Sequence, residues 1–160
     1  MDFTQDVLAN GRTFRTLNVV DLCPRECLAI EVDTSLPGQR VARVLDHLGE
    51  RHGRPAMVRV DNGPEFAGQA LDAWAYRQGV QLDFIDPGKP MQNGSIESFN
   101  GRFREECLDQ FWFTSLAEAR RVIEAWRVDY NEQRPRATVG HAMTPVPPKR
   151  APGAAAKEVR

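Results

Sequence analysis

The feature that most narrows the choice of fold is the order in which the hydrophobic period changes along the chain. Near the start, successive runs read with strand composition, and a helical period appears only after Pro37. Asn10-Gly11 is a tight-turn signal, and the β-rich run Thr13-Phe14-Arg15-Thr16-Leu17-Asn18-Val19-Val20 follows it, so the residues before the turn form the partner strand of a hairpin. Cys27-Leu28-Ala29-Ile30-Glu31-Val32 reads as a third strand, reached through a turn around Pro24. Three consecutive strands joined by short turns make an antiparallel meander.

Beyond the meander, Val41, Val44, Leu45 and Leu48 recur at helical spacing until Gly53 and Pro55 end the pattern. Met57-Val58-Arg59-Val60 is a brief fourth strand closed by the turn-rich Asp61-Asn62-Gly63-Pro64. Residues 66 to 78 carry Phe66, Leu71, Trp74 and Ala75 on a helical period, Gly79 supplies a C-cap, and Gln81-Leu82-Asp83-Phe84-Ile85 alternates as a fifth strand. Two more helices are expected, from about Gln92 to Leu108 and from Ser115 to about Asn131, the second opened by the capping box Ser115-Leu116-Ala117-Glu118. The order βββαβαβ with two closing helices predicts an α/β fold, a mixed sheet of five strands with helices on both faces. A chain of 160 residues, 41% hydrophobic, holds one domain with a real core and is too short for two comfortable ones. Residues 146–160, rich in Pro and Ala, read as a flexible tail, which leaves a single domain over residues 1–145.

Charge and cysteine usage bound the setting. Cys23, Cys27 and Cys107 are odd in number and, with His47, His52 and His141, match no zinc ligand spacing, so a reducing, cytoplasmic location is expected. No run approaches the ~18 apolar residues of a membrane span. Net charge is −1, yet residues 1–114 hold 12 Lys and Arg against 17 Asp and Glu, while residues 115–160 hold 9 against 5. If DNA is the substrate, local basic groups, metal ions or partner segments must offset the negative front part.

Three acids stand out by position: Asp2 on the first strand, Asp61 ending the fourth, and Glu97 within a helix that follows a Pro- and Gly-containing loop. Hard divalent cations take carboxylate oxygens and keep positions open for water and phosphate, and a pair of such ions suits phosphoryl transfer. Any one of these acids alone reads more simply as a turn or helix-cap residue. The wording around them is more specific. Asp61-Asn62-Gly63-Pro64-Glu65-Phe66 and Lys89-Pro90-Met91-Gln92-Asn93-Gly94-Ser95-Ile96-Glu97-Ser98-Phe99-Asn100-Gly101-Arg102 closely resemble the second and third acidic motifs of insertion-sequence transposases related to retroviral integrases, with 35 residues between the two acids. Met1-Asp2-Phe3 resembles the first acidic motif, and Asn131-Glu132-Gln133-Arg134-Pro135 the closing motif.

The resemblance implies a ribonuclease H-like fold and a D-D-E polynucleotidyl transferase in which Asp2, Asp61 and Glu97 meet at one edge of the sheet and hold Mg2+, for which Mn2+ can substitute. It implies DNA cleavage followed by strand transfer, with element ends and target DNA as partners, and assembly as a homo-oligomer or with a separate DNA-binding subunit. Relatives carry residues upstream of the first acidic motif, so the core is expected to be shortened at its N-terminus. The alternatives are an inactive transposase fragment acting as a DNA- or partner-binding module, and a ribonuclease H-type nuclease.

Read without the family, the Glu97 helix has a buried stripe of Ile96, Phe99, Phe103 and Cys107 and a polar stripe of Asn93, Glu97, Asn100 and Arg104. A solvated face is the ordinary meaning of such a stripe, and the motif match favours an active face. Lys89, Asn93, Asn100, Arg102 and Arg104 are the candidate DNA contacts, set to hold a phosphate backbone beside the metal pair. Gly63 is expected to permit a backbone conformation that other residues resist. Asp21 reads as a turn cap, and Trp74 and Trp126 as core residues rather than base-stacking platforms.

Overall fold

The computed structural model describes residues 1–133. The chain opens with β1 (Asp2–Val7), β2 (Thr13–Asp21) and β3 (Glu26–Asp33), an antiparallel meander in the order β1-β2-β3. Gly11 takes a φ of 85° at the first turn, where its N–H donates to the Leu8 carbonyl at 2.9 Å, and Asn10 Oδ1 accepts from the Arg12 amide at 3.0 Å. At the second turn Asp21 Oδ1 accepts from the Cys23 amide at 2.9 Å, the capping role expected of it. Helix α1 (Gly38–His52) follows and stops at Gly53, whose φ is 84°.

Strand β4 (Met57–Val60) pairs in parallel with β5 (Gln81–Phe84), and α2 (Gln69–Gln78) makes the crossover between them. Helix α2 begins later than its apolar period suggests. Phe66 and Ala67 donate to the Gly63 carbonyl in a turn, so Phe66 is buried from a loop. A 3-10 turn at Pro90–Asn93 leads into α3 (Gly94–Glu106), and α4 (Leu116–Glu132) closes the described chain. At the start of α4, Ser115 Oγ accepts from the Glu118 amide at 3.1 Å. The return bond of the capping box goes one residue further back, from the Thr114 amide to Glu118 Oε2 at 2.7 Å.

The strands do not form the single ladder of five that the pattern suggests. They pair as three antiparallel strands and two parallel ones. A hydrogen bond from the Met1 nitrogen to the Arg59 carbonyl, 2.8 Å long, links the start of β1 to β4. The physical reason is length: β4 has only four residues, and β1 meets it just at its first residues. The end of the expected domain at residue 145, the tail 146–160 and the Arg134-Pro135 part of the closing motif lie outside the described residues.

Helices do cover both faces of the meander. On one face Phe14, Cys27, Ile30 and Val32 pack with Ile96, Phe99 and Phe103 of α3 and Ile123, Trp126 and Tyr130 of α4. On the other, Leu17 and Val19 pack with Val41, Leu45 and Leu48 of α1, Leu71 and Trp74 of α2, and Val60. Full burial of a Leu, Ile, Val or Phe side chain contributes ~1.5–3 kcal/mol, so two such clusters hold the strands from either side. Trp74 and Trp126 are both core residues, Trp74 donating its indole N–H to Asp46 at 2.7 Å, while Trp112 is exposed. Burial pushes the Cys27 and Cys107 thiols well above the usual range, which makes them core fillers rather than nucleophiles.

Candidate active site

Alternation along β1 puts Asp2, Thr4 and Asp6 on the face that α3 covers, opposite Asn18, Thr16 and Phe14 of β2. Polar groups here are buried and joined in a chain. Asn18 and Thr16 are fully buried, Thr16 Oγ1 donates to Asn18 Oδ1 at 2.9 Å, and Thr4 and Thr16 share a hydroxyl hydrogen bond. Asn18 Nδ2 donates to Thr4 Oγ1 at 3.2 Å and to Asn100 Oδ1 on α3 at 2.8 Å. Asn100 Nδ2 in turn donates to Asp2 Oδ2 at 2.8 Å, and the Phe3 amide donates to Asp2 Oδ1 at 2.8 Å. Both oxygens of Asp2 are therefore held, one by its own strand and one by α3.

Burial pushes the Asp2 carboxyl above its ordinary pKa, and the nearby charge of Asp61 pushes the same way, against the hydrogen bonds from Phe3 and Asn100. Asp61 follows β4 and is oriented by its own loop, its Oδ1 accepting from the Gly63 amide at 2.9 Å. Gly63 has no left-handed backbone, contrary to the expectation from sequence. Its small size matters instead, since a Cβ there would sit 2.9 Å from Asp61 Oδ1. Asn62 ties the loop to β5 through a 2.9 Å bond to the Ile85 carbonyl.

Glu97 is exposed on α3, one turn before Asn100 and on the same side of the helix. Asp2 and Asp61 thus come together, and Glu97 shares the helix face that reaches them. Among the described residues no three His, Cys, Asp or Glu side chains gather closely enough to hold a metal ion.

The five basic and amide candidates divide. Asn100 spends both ends of its amide inside the protein. Arg104 donates to the Gln5 carbonyl at 2.7 Å and lies 3.7 Å from Asp109, so it fastens α3 to β1. Lys89 is exposed and paired with Asp86 at 3.2 Å. Asn93 sits at the N-cap of α3 without a capping bond from its side chain. Arg102 faces the flank of α3 away from Asn100. There it lines a cavity of about 210 Å3 with Ser95, Ser98 and Arg25, and its Nη1 is buried without a hydrogen-bond partner among the described residues. Asn18, Thr4 and Thr16 went unassigned in the sequence reading. The available signal was a polar residue at each strand position sharing a face with Asp2.

The chain matches the Integrase core domain family through two models, over residues 1–90 and residues 78–145. It is 53% identical over 141 residues to the insertion element IS407 uncharacterized 31.7 kDa protein of Burkholderia multivorans, covering 88% of this chain and 51% of that protein. It is 50% identical over 140 residues to the insertion element IS476 uncharacterized 39.2 kDa protein of Xanthomonas euvesicatoria, covering 88% of this chain and 40% of that one. The chain spans about half the length of these relatives or less. Among solved structures, a chain of the simian T-cell lymphotropic virus intasome in complex with PP2A regulatory subunit B56 gamma matches with a TM-score of 0.66 at 18% identity, over 91% of this chain and 57% of the other, a likeness of fold.

Proposed function

Because this chain belongs to the integrase core domain family, we propose that it is the catalytic core of an insertion-sequence transposase, a polynucleotidyl transferase that cuts DNA and joins the freed strand to a new site. The observation that carries this reading is the tether from Asn100 to Asp2, which holds one acid while Asp61 lies near enough to act on its charge. Asp2, Asp61 and Glu97 form the triad, and the fold is that of ribonuclease H, its two ladders parts of one five-stranded sheet. Three carboxylates offer hard oxygen donors of the kind Mg2+ or Mn2+ takes, and a cation between Asp2 and Asp61 relieves the like-charge opposition that raises the Asp2 pKa. When bound, a pair of such ions acidifies the attacking oxygen and offsets charge on the transferring phosphate.

The chain's own residues act by position. Asn100 and the Phe3 amide fix Asp2, the Gly63 amide fixes Asp61, and Arg104 keeps α3 against β1. In the reaction, water hydrolyses a phosphodiester at the element's end, and the freed 3′-hydroxyl then attacks a phosphodiester of the target with loss of the bridging oxygen. No covalent protein intermediate is needed. Lys89, Asn93 and Arg102 are the proposed contacts to the DNA backbone, with Asn100 and Arg104 as positioning residues. Element ends and target DNA are the substrates. Assembly with further copies, or with a DNA-binding segment, offsets the acidic front part.

An inactive fragment that binds DNA or a transposase partner is the second reading, favoured by the absence, among the described residues, of three acids close enough to hold a metal. Strand rejoining on a pre-branched DNA, in Mg2+ or Mn2+, separates the two, because such a substrate already places the 3′-hydroxyl beside its target. The native chain should yield rejoined product and Asp61→Asn none. Equal metal-dependent activity in Asp61→Asn refutes the triad, and no product from a folded native chain selects the fragment.

A further inference from the structure

The end of β2 and the start of β4 leave a gap in the plane of the sheet. Pairing of β1 with β2 runs from Val7–Thr13 to Asp2–Asn18, so Val20 and Asp21 have no strand on that side among the described residues, though their other edge pairs with Cys27 and Glu26 of β3. The Met1 nitrogen reaches β4 at the Arg59 carbonyl, while Met57 and Val58, earlier in β4, pair on their far edge with Gln81 and Leu82. Val20, Asp21, Met57 and Val58 all border one cavity of about 470 Å3. It opens through both layers of the fold. Leu45, Leu48 and Trp74 line it from the α1 and α2 side, and Gln92, Asn93 and Ser95 from the α3 side.

We propose that this cavity is a strand slot, filled by an extended segment of about three residues joined to the Met1 nitrogen, which runs antiparallel to β2 and parallel to β4. Unpaired edges of this kind are otherwise a liability for self-association, and main-chain hydrogen bonds to both neighbours would close them. Continuity with the β1–β2 ladder fixes direction and register. Met1 packs in the α1 and α2 cluster and Asp2 turns to α3, so alternation sends the residue before Met1 toward α3 and the one before that toward α1 and α2. The second of these positions meets Leu45, Leu48 and Trp74 and takes a large apolar side chain. The first meets Gln92, Asn93 and Ser95 and takes a small or polar one. Filling the slot moves Asp2 from the end of a strand to its interior.

The test uses the full chain and two extended forms, one carrying Met-Thr-Leu-Ser and the other Met-Thr-Ser-Leu ahead of Met1. Composition is the same in both, and only the faces are exchanged. The in-phase Leu-Ser form should melt about 5 °C or more above the native chain and should lose fluorescence of a bound anilinonaphthalene sulfonate dye, while the exchanged form does neither. Equal gains in both forms, or in neither, overturn the slot. Stabilisation of the native chain by the free peptide Thr-Leu-Ser to the same extent, or a melting point that climbs with its own concentration, overturns the joined segment as occupant in favour of a separate peptide or a second copy. All readouts concern folding, so the outcome is independent of whether the chain rejoins DNA.

Discussion

Asp2 is held by groups that belong to three different elements, and this is where single residues decide the chemistry. Asn100 accepts from Asn18 and donates to Asp2, so the amide fixes its own orientation before it fixes the acid. The three acids were legible in the sequence because their neighbours form distinctive wording. Asn18, Thr4 and Thr16 were not, because a polar residue within a strand reads as a solvent-facing position until cross-strand pairing shows it buried. Gly63 was singled out for the wrong cause: its value is the space it leaves beside Asp61 rather than an unusual φ. Gly63→Ala therefore tests the acid's placement. The added methyl meets Asp61 Oδ1 at 2.9 Å, and displacement of a reacting group by ~1 Å costs up to ~100-fold, so rejoining should fall by about 10- to 100-fold with stability changed by less than ~1 kcal/mol. Rates measured beside a melting curve check this, and an unchanged rate removes Gly63 from the site.

Among elements, the weak point is the loop from Asp61 to Gly68, which carries one acid yet has little regular structure. It is pinned to the meander by side chains. Phe66 stacks on Phe3 with ring centroids 4.7 Å apart, Arg15 lies 4.4 Å over the Phe3 ring, and the Arg15 guanidinium donates to Glu65. The helical period through Phe66, Leu71 and Trp74 was visible in the sequence, but Phe66 shares it by chance of spacing. A stacked partner on β1 buries it from a turn. The hydrogen bond from Arg15 holds the Glu65 carboxyl below the ordinary glutamate range. A carboxyl lowered in the folded state adds stability above its unfolded pKa and loses it as pH falls through the folded value. The partners are partly exposed, so the gain is under ~1 kcal/mol. Urea midpoints should thus fall less from pH 7 to pH 3 in Glu65→Gln than in the native chain, and parallel falls contradict the pairing.

At the scale of the whole molecule, two apolar clusters squeeze the meander from opposite faces and leave the acids at the margin between them. Strand order and helix order were readable from periodicity, because each element is long enough to show its period. The division into two ladders was not, since a contact between strands distant in sequence leaves no local pattern. Its consequence is electrostatic: Asp2 and Asp61 meet where β1 approaches the end of β4, and their like charges oppose one another in a partly buried place. Ionised together they cost folding free energy at neutral pH, and a divalent cation reverses the sign of that term. Mg2+ should then stabilise the native chain. For a dissociation constant near 1 mM, an addition of about 10 mM contributes ~1.4 kcal/mol, or a rise of about 3–5 °C in Tm. Asp61→Asn removes both the repulsion and a ligand, so its Tm without Mg2+ should match or exceed the native value and should not respond to the ion. A native chain whose Tm is indifferent to Mg2+ while it still rejoins DNA would move metal binding to the DNA complex. Indifference together with inactivity would leave a fold that keeps its acids and lacks their function.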